Sequence, residues 1–117
     1  MAKMKQDFQM ISGDTKYLKI TVDLPSQSDT LNGATIKWGL FHAENKTVLA
    51  EKIYEPAGVQ DGIEIEDDSN IFTVKIEPQD TNELQGRFLH ESQIIDSAGN
   101  VSTILKGTVN IIEDWIQ

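Results

Sequence analysis

The feature that most constrains the fold of this chain is a period of two in its hydrophobic residues. Between Lys16 and Leu24 apolar residues alternate with polar ones, and the alternation returns in later segments. Successive side chains of a β-strand point to opposite faces, so the pattern predicts strands with one buried face. No long segment has the spacing of three and four that an amphipathic helix requires. The predicted inward positions are Leu18, Ile20, Val22 and Leu24; Ala34, Ile36, Trp38 and Leu40; Phe72, Val74 and Ile76; and Thr103, Leu105, Val109 and Ile111.

Turn residues separate these segments. We expect a positive φ at Gly13, a hairpin tip at Glu44-Asn45-Lys46, and a hairpin loop at Ser97-Ala98-Gly99-Asn100. The segment from Gly86 to Asp96 is ambiguous, because either Phe88 and Ile94 or Leu89 and Ile95 could face the core. Seven or eight short strands with turns every 8–12 residues indicate an antiparallel sandwich or barrel, and one sandwich needs about 100 residues.

Two details favour an immunoglobulin-like sandwich over a barrel. Trp38 lies on the inward face of the third strand, where immunoglobulin domains place their core tryptophan. A compact polar connection from Pro78 leads to an aromatic residue, Phe88, at the start of the next strand. We therefore predict an all-β, immunoglobulin-like antiparallel β-sandwich of seven to eight strands. It would span residues 7–112, between a flexible N-terminal tail (1–6) and a C-terminal tail (113–117).

The charge balance excludes several classes of partner. The 117 residues include 19 acidic and 10 basic side chains, a net charge of −9, and no cysteine. This balance argues against nucleic acid and anionic membranes as partners. No apolar run approaches the roughly 18 residues of a membrane span, and the first residues lack a signal-peptide core. The absence of cysteine excludes disulfides, cysteine-ligated zinc and a cysteine nucleophile.

The position of the charges suggests how the acidic excess is used. Lysines at strand positions are expected to point outward: Lys19, Lys37, Lys52, Lys75 and Lys106. Much of the acidic excess falls in predicted turns and the tail, and we interpret it as promoting solubility. These acidic residues are Asp61, Glu64, Glu66, Asp67, Asp68, Asp80, Glu83, Glu113 and Asp114.

No motif predicts catalysis. His42 and His90 lie on different strands without metal-ligand spacing, so each is expected to be a hydrogen-bonded core or edge residue. His90-Glu91-Ser92 has the residue types of a hydrolase triad, but adjacent strand residues point to opposite faces. We predict no enzyme, no catalytic residue and no cofactor.

No metal site is predicted either, although one acidic cluster offers weak calcium candidates. Its oxygen ligands suit calcium, but their spacing does not match an EF-hand loop. The alternative is a solvated loop whose charges discourage edge-to-edge strand pairing. The cluster consists of Glu64, Glu66, Asp67 and Asp68.

Four apolar residues are candidates for an interface. Trp115 and Ile116 follow the polar Glu113-Asp114 beyond the last strand, and exposed aromatic residues often anchor interfaces. Trp115 could instead fold back onto its own sandwich. Tyr17 and Phe41 occupy outward strand positions, where an interface or a loop could cover them.

Several motifs, in order, resemble the immunoglobulin-like domain of phage virion proteins. The motifs are Gly13-Asp14-Thr15, Leu31-Asn32-Gly33-Ala34-Thr35-Ile36-Lys37-Trp38, Asp80-Thr81, Leu84, Gly86, Asp96-Ser97-Ala98-Gly99-Asn100 and Lys106-Gly107-Thr108-Val109. The chain looks like the N-terminal domain of phage baseplate upper proteins, and like small free-standing proteins encoded near phage head and tail genes. It lacks the coiled-coil stalk and receptor-facing regions of a full baseplate upper protein.

The resemblance implies a non-enzymatic structural protein of a phage or prophage virion, in the baseplate, tail or head/neck. Implied partners are other virion proteins and further copies of the chain. The implied location is the virion, after synthesis in the bacterial cytoplasm. The alternative function is a module that binds carbohydrate, such as a host surface glycan, or a host receptor through the sandwich loops.

Overall fold

The computed structural model describes residues 4–24 and 30–116, with side chains from residue 6 onward. The predicted tail residues 1–3 and 117, and residues 25–29, lie outside the described residues. Within the described residues, ten strands and one short helix are present. They are β1 (Met4–Lys5), β2 (Phe8–Ile11), β3 (Lys16–Thr21), β4 (Thr35–His42), β5 (Val48–Tyr54), β6 (Gln60–Asp61), β7 (Ile63–Ile65), β8 (Ile71–Ile76), α1 (Pro78–Thr81), β9 (Gly86–Ile95) and β10 (Val101–Ile112).

The strands form two sheets. The large sheet has the order β1-β10-β9-β4-β5-β6, with β2 also paired to β10, and the small sheet has the order β3-β8-β7. Pairing is antiparallel except that β1 and β2 both run parallel to β10. The long strands β4, β9 and β10 correspond in order to strands C, F and G of an immunoglobulin domain, with β5 and β6 added beside β4 as in the variable type. The protein is therefore an immunoglobulin-like β-sandwich.

The core lies between the sheets and contains the inward residues of the alternating segments. Ile36, Trp38 and Leu40 on β4 are each at most 1% exposed, and Phe72 and Val74 on β8 are fully buried. On β9 the ambiguity is resolved in favour of Phe88 and Ile94, which are buried. The side chains between them on the same face are His90 and Ser92.

A β-bulge changes the predicted face of one residue on β10. Thr103 was predicted to share a face with Leu105, but the register shifts between these two residues. Thr103 is paired with outward-facing Gln93, whereas Leu105 is paired with buried Ser92. The extra residue is Ile104, which is also buried, so this prediction was wrong by one position.

The described residues form more strands than the seven to eight predicted, because three of the ten are very short. They are β1, β6 and β7, with two or three residues each, too few for a period of two to reveal. Residues 4 and 5 of the predicted N-terminal tail form β1, paired with Leu105 and Lys106. In the C-terminal direction, β10 ends at Ile112, before the predicted tail.

The corner between the sheets is fixed by buried polar contacts. Helix α1 begins after Glu77, whose backbone N–H donates to the Asp80 carboxylate at 2.7 Å. The fully buried Thr81 accepts hydrogen bonds from Ser12 Oγ at its carbonyl oxygen and from the Gly13 N–H at its hydroxyl. Gly13 has the expected positive φ, +81°, which lets the turn between β2 and β3 reach the corner.

Lys52 does not point outward as predicted. It lies opposite Trp38 on the inward face of β5, is 5% exposed, and its Nζ is 2.9 Å from the Asp80 carboxylate. Its aliphatic chain passes over Gly62, where φ is +77° and a β-carbon would clash with the lysine. The prediction failed because the corner of the sandwich supplies a carboxylate that makes burial of this lysine tolerable.

No helix within the described residues is long and apolar enough to cross a membrane.

Candidate interaction surface

The structure does not bring the four residues of the acidic cluster together as a set of metal ligands. Glu64 lies on β7, and Glu66, Asp67 and Asp68 follow it in an exposed turn. Asp68 accepts a hydrogen bond from the Asn32 side chain at 2.9 Å. In the described part of the chain, no group of three or more histidine and acidic side chains is placed to hold a metal ion. The carboxylates therefore form a charged surface on β7 and the turn that follows it.

The triad-like sequence around His90 is not assembled into a catalytic site. His90 points into the core, Glu91 lies on the outer face beside Lys106 at 3.4 Å, and the Ser92 hydroxyl donates to the Lys37 carbonyl oxygen. Trp38 Nε1 donates to His90 Nδ1 at 3.1 Å, and His90 Nε2 contacts the Gln6 carbonyl oxygen. These contacts fit a neutral imidazole with its proton on Nε2. His90 is therefore a hydrogen-bonded core residue.

We expect the stability of the protein to fall below pH 6.5 because of His90. Burial lowers the pKa of His90, opposed in part by its hydrogen bond to Gln6 and by Asp7. The unfolded chain therefore takes up this proton at higher pH than the folded one. The contribution of His90 to the free energy of unfolding should therefore be constant above about pH 6.5. Below that pH it should decline, down to the lowered pKa of His90 in the folded state.

Urea denaturation between pH 7.5 and 5.5 measures this effect. His90→Gln should flatten the dependence on pH, whereas His42→Gln, a substitution in the half-buried strand end of β4, should retain it. If the free energy of unfolding of His90→Gln depended on pH as strongly as that of the parent chain, the pH dependence would not come from His90.

The contact between Gln6 and His90 requires a glycine at position 107. It lies opposite His90 on β10, and a β-carbon there would overlap with the Gln6 carbonyl oxygen. We expect Gly107→Ala to lower the free energy of unfolding by about 2–4 kcal/mol, through overpacking and the loss of the partly buried hydrogen bond between His90 and Gln6. Chemical denaturation tests this, with the exposed Asn110→Ala on the same strand as control. Replacing a glycine within a strand usually stabilises a protein. If Gly107→Ala did so, Gly107 would not be needed to make space for the Gln6 carbonyl oxygen.

The outer face of the large sheet carries an open hollow. Its volume is about 820 Å³, and its centre is formed by Phe41, Leu89 and Thr108, which lie side by side on β4, β9 and β10. Phe41 and Leu89 are half-buried. The Phe41 ring lies across Gly39, where a β-carbon would be only 2.6 Å from it. A second hollow of about 450 Å³ is also lined by Phe41 and Gly39.

The charge around the hollow is opposite to that of the whole chain. Three of the ten basic residues, Lys46, Arg87 and Lys106, line it, with only two of the nineteen acidic residues, Asp7 and Glu91. Glu91 forms an ion pair with Lys106, and Asp7 accepts the Thr108 N–H at 2.8 Å. We call this surface the outer groove. It combines an apolar floor with a cationic rim.

The four predicted interface residues are not brought together. Phe41 lies in the outer groove, Tyr17 lies on the small sheet and is 63% exposed, and Trp115 and Ile116 extend beyond β10 with exposures of 88% and 87%. Trp115 does not fold back. Sequence reasoning missed Leu89, Arg87 and Lys46, because the register of β9 was ambiguous and no motif marks the hairpin lysine.

Comparison with known proteins finds similarity among solved structures and not among sequences. No protein-family model and no curated protein sequence matches it. Among solved structures it is similar to the DIP-gamma IG1+IG2 structure, with 17% identity and a TM-score of 0.48 over 97% of this chain. It is also similar to the ZIG-8–RIG-5 IG1-IG1 heterodimer, with 13% identity and a TM-score of 0.46, covering 94% of this chain and 84% of that one. The chain spans 47% of the DIP-gamma chain.

Proposed function

We propose that the protein is a non-enzymatic protein–protein interaction domain that binds through the outer groove. An immunoglobulin-like sandwich suits this function, because its large sheet presents a broad, rigid face. The observation that carries the proposal is the cationic, apolar surface formed by Phe41, Leu89 and Arg87 in a chain of net charge −9. An apolar centre with arginine nearby is the composition that interfaces favour.

The finer proposal is that the domain assembles into a phage or prophage virion, after synthesis in the bacterial cytoplasm. Its support is the resemblance of the turn and strand motifs to immunoglobulin-like domains of phage virions. The outer groove also suits a component of an assembly, since it offers a surface on which another protein can dock. The alternative of a glycan- or receptor-binding module stays a prediction, which a glycan array or an adsorption assay would test.

Mass spectrometry of purified particles tests the virion role. We expect the chain in particles made by the phage or prophage that encodes it. The charge-reversed Arg87→Glu should fold normally, since Arg87 is exposed, but should be depleted from particles. Tyr17→Ser, on the opposite sheet, should be incorporated like the parent chain. Absence of the parent chain from particles and from assembly intermediates would overturn the virion role.

A further inference from the structure

The C-terminal segment following β10 is an exposed apolar pair preceded by two acidic residues. Trp115 and Ile116 are 88% and 87% exposed, an unusual state for adjacent large apolar side chains. The Asp114 carboxylate accepts the Ile116 N–H at 2.9 Å, which holds the segment in a local turn. We call residues 113–116 the C-terminal segment. Its chemistry is that of an interface anchor: one tryptophan, one aliphatic residue and two negative charges.

The outer groove and the C-terminal segment are complementary. The groove has an apolar floor, Phe41 and Leu89, and basic side chains around it. The segment offers apolar side chains for the floor and the exposed carboxylate of Glu113 for the exposed Arg87. The hollow, at about 820 Å³, is within the range of volumes that bind small ligands, which leaves room for an indole and an aliphatic side chain.

The segment does not occupy the groove of its own chain. It lies at the corner end of the sandwich, where Glu113, Asp114 and Ile116 border a separate hollow of about 460 Å³ with Ser12, Asn82 and Glu83. None of the residues around that hollow belongs to the outer groove. Contact between this segment and the outer groove would therefore join two molecules.

We propose that the protein associates with itself by seating the C-terminal segment of one copy in the outer groove of a second copy. This deepens the proposed function and rests on it, since it names the partner of the same groove. The contact joins two different surfaces, so it is heterologous, and it produces a ring or a chain of copies unless two molecules exchange segments reciprocally. The segment is short, so association should be weak and dependent on concentration and salt.

Sedimentation velocity over about 10 µM to 1 mM protein tests the proposal, since weak contacts have dissociation constants in this range. The parent chain should shift towards larger species with concentration, and high salt should reduce the shift. Trp115→Ser and Arg87→Glu should each stay monomeric at all concentrations. Tyr17→Ser, which removes an exposed aromatic residue from the small sheet, should behave like the parent chain. Thermal melts of all variants should match the parent chain.

Mixing the two defective variants provides a stricter test. Trp115→Ser retains the groove and Arg87→Glu retains the segment, so their mixture should form heteromers with one intact contact. A parent chain that stays monomeric, association unaffected by both substitutions, or a mixture that fails to associate would each overturn self-association. If the parent chain is monomeric but Arg87→Glu is depleted from particles, the proposed function stands and this inference fails. If the chain self-associates through the groove but is absent from particles, this inference and the groove-binding function stand, and only the virion role fails.

Discussion

Replacing Asp80 with alanine is expected to lower the free energy of unfolding by about 3–5 kcal/mol. The substitution leaves the ammonium group of Lys52 without its carboxylate in a side chain that is only 5% exposed. It also removes the acceptor for the Glu77 N–H at the start of α1. Both losses occur at the corner that joins the two sheets, so we expect no local accommodation. Urea denaturation at pH 7 measures the change.

Two further variants separate the buried ion pair from general effects of removing a carboxylate. Glu91→Ala breaks the Lys106 pair, in which the lysine side chain is 59% exposed, and should cost less than about 1 kcal/mol. Adding Lys52→Met to Asp80→Ala should recover much of the loss, because replacing both partners of a buried pair with apolar groups is often neutral. If Asp80→Ala lowers the free energy of unfolding no more than Glu91→Ala does, the ion pair between Lys52 and Asp80 does not stabilise the fold.

Replacing Trp38 with alanine should be at least as damaging, at about 3–5 kcal/mol. Trp38 is 1% exposed at the centre of the large sheet, and its removal leaves a cavity between the sheets. It also removes the N–H that donates to His90 Nδ1, leaving a buried acceptor unsatisfied. Trp38→Phe keeps most of the volume but not the donor, so it should cost less than Trp38→Ala and yet remain destabilising.

Trp115→Ala is the matched control, since it makes the same chemical change at a position that is 88% exposed. Measured at low micromolar protein, where weak self-association contributes little, it should change the free energy of unfolding by less than about 0.5 kcal/mol. Equal effects of the two substitutions would show that Trp38 does not anchor the core. A Trp38→Phe variant as stable as the parent would show that the hydrogen bond to His90 contributes nothing.

Alternation in the sequence was enough to predict the sandwich and most of its core. Leu18, Ile20, Ile36, Trp38 and Val74 are all buried where a period of two places them. The pattern failed at the β10 bulge, because Ile104 and Leu105 are both apolar and either continues the alternation equally well. A bulge is set by pairing with the neighbouring strand, and one chain segment read alone carries no trace of it.

The interaction surface was less predictable, because it depends on which strands become neighbours. Phe41 was recognised as outward, but its neighbour Leu89 was not, since β9 is apolar on both faces near its start. The prediction that Lys52 points outward failed for a related reason. Ile53 is the more apolar of the two neighbours, yet the pairing of β5 with β4 turns Lys52 inward. Its compensating charge, Asp80, comes from a corner 28 positions later in the chain. Local pattern cannot supply such distant information.

The parallel pairing of β1 and β2 with β10 has a consequence for how the chain folds. Thr108 bonds to Asp7 across a sequence separation of 101 residues, nearly the whole chain. During synthesis β1 and β2 leave the ribosome long before β10, and their edge stays unpaired until β10 emerges. Contacts of such high sequence separation slow folding. We expect completion of the large sheet to be the late step, and a nascent chain that ends before β10 to be prone to aggregation.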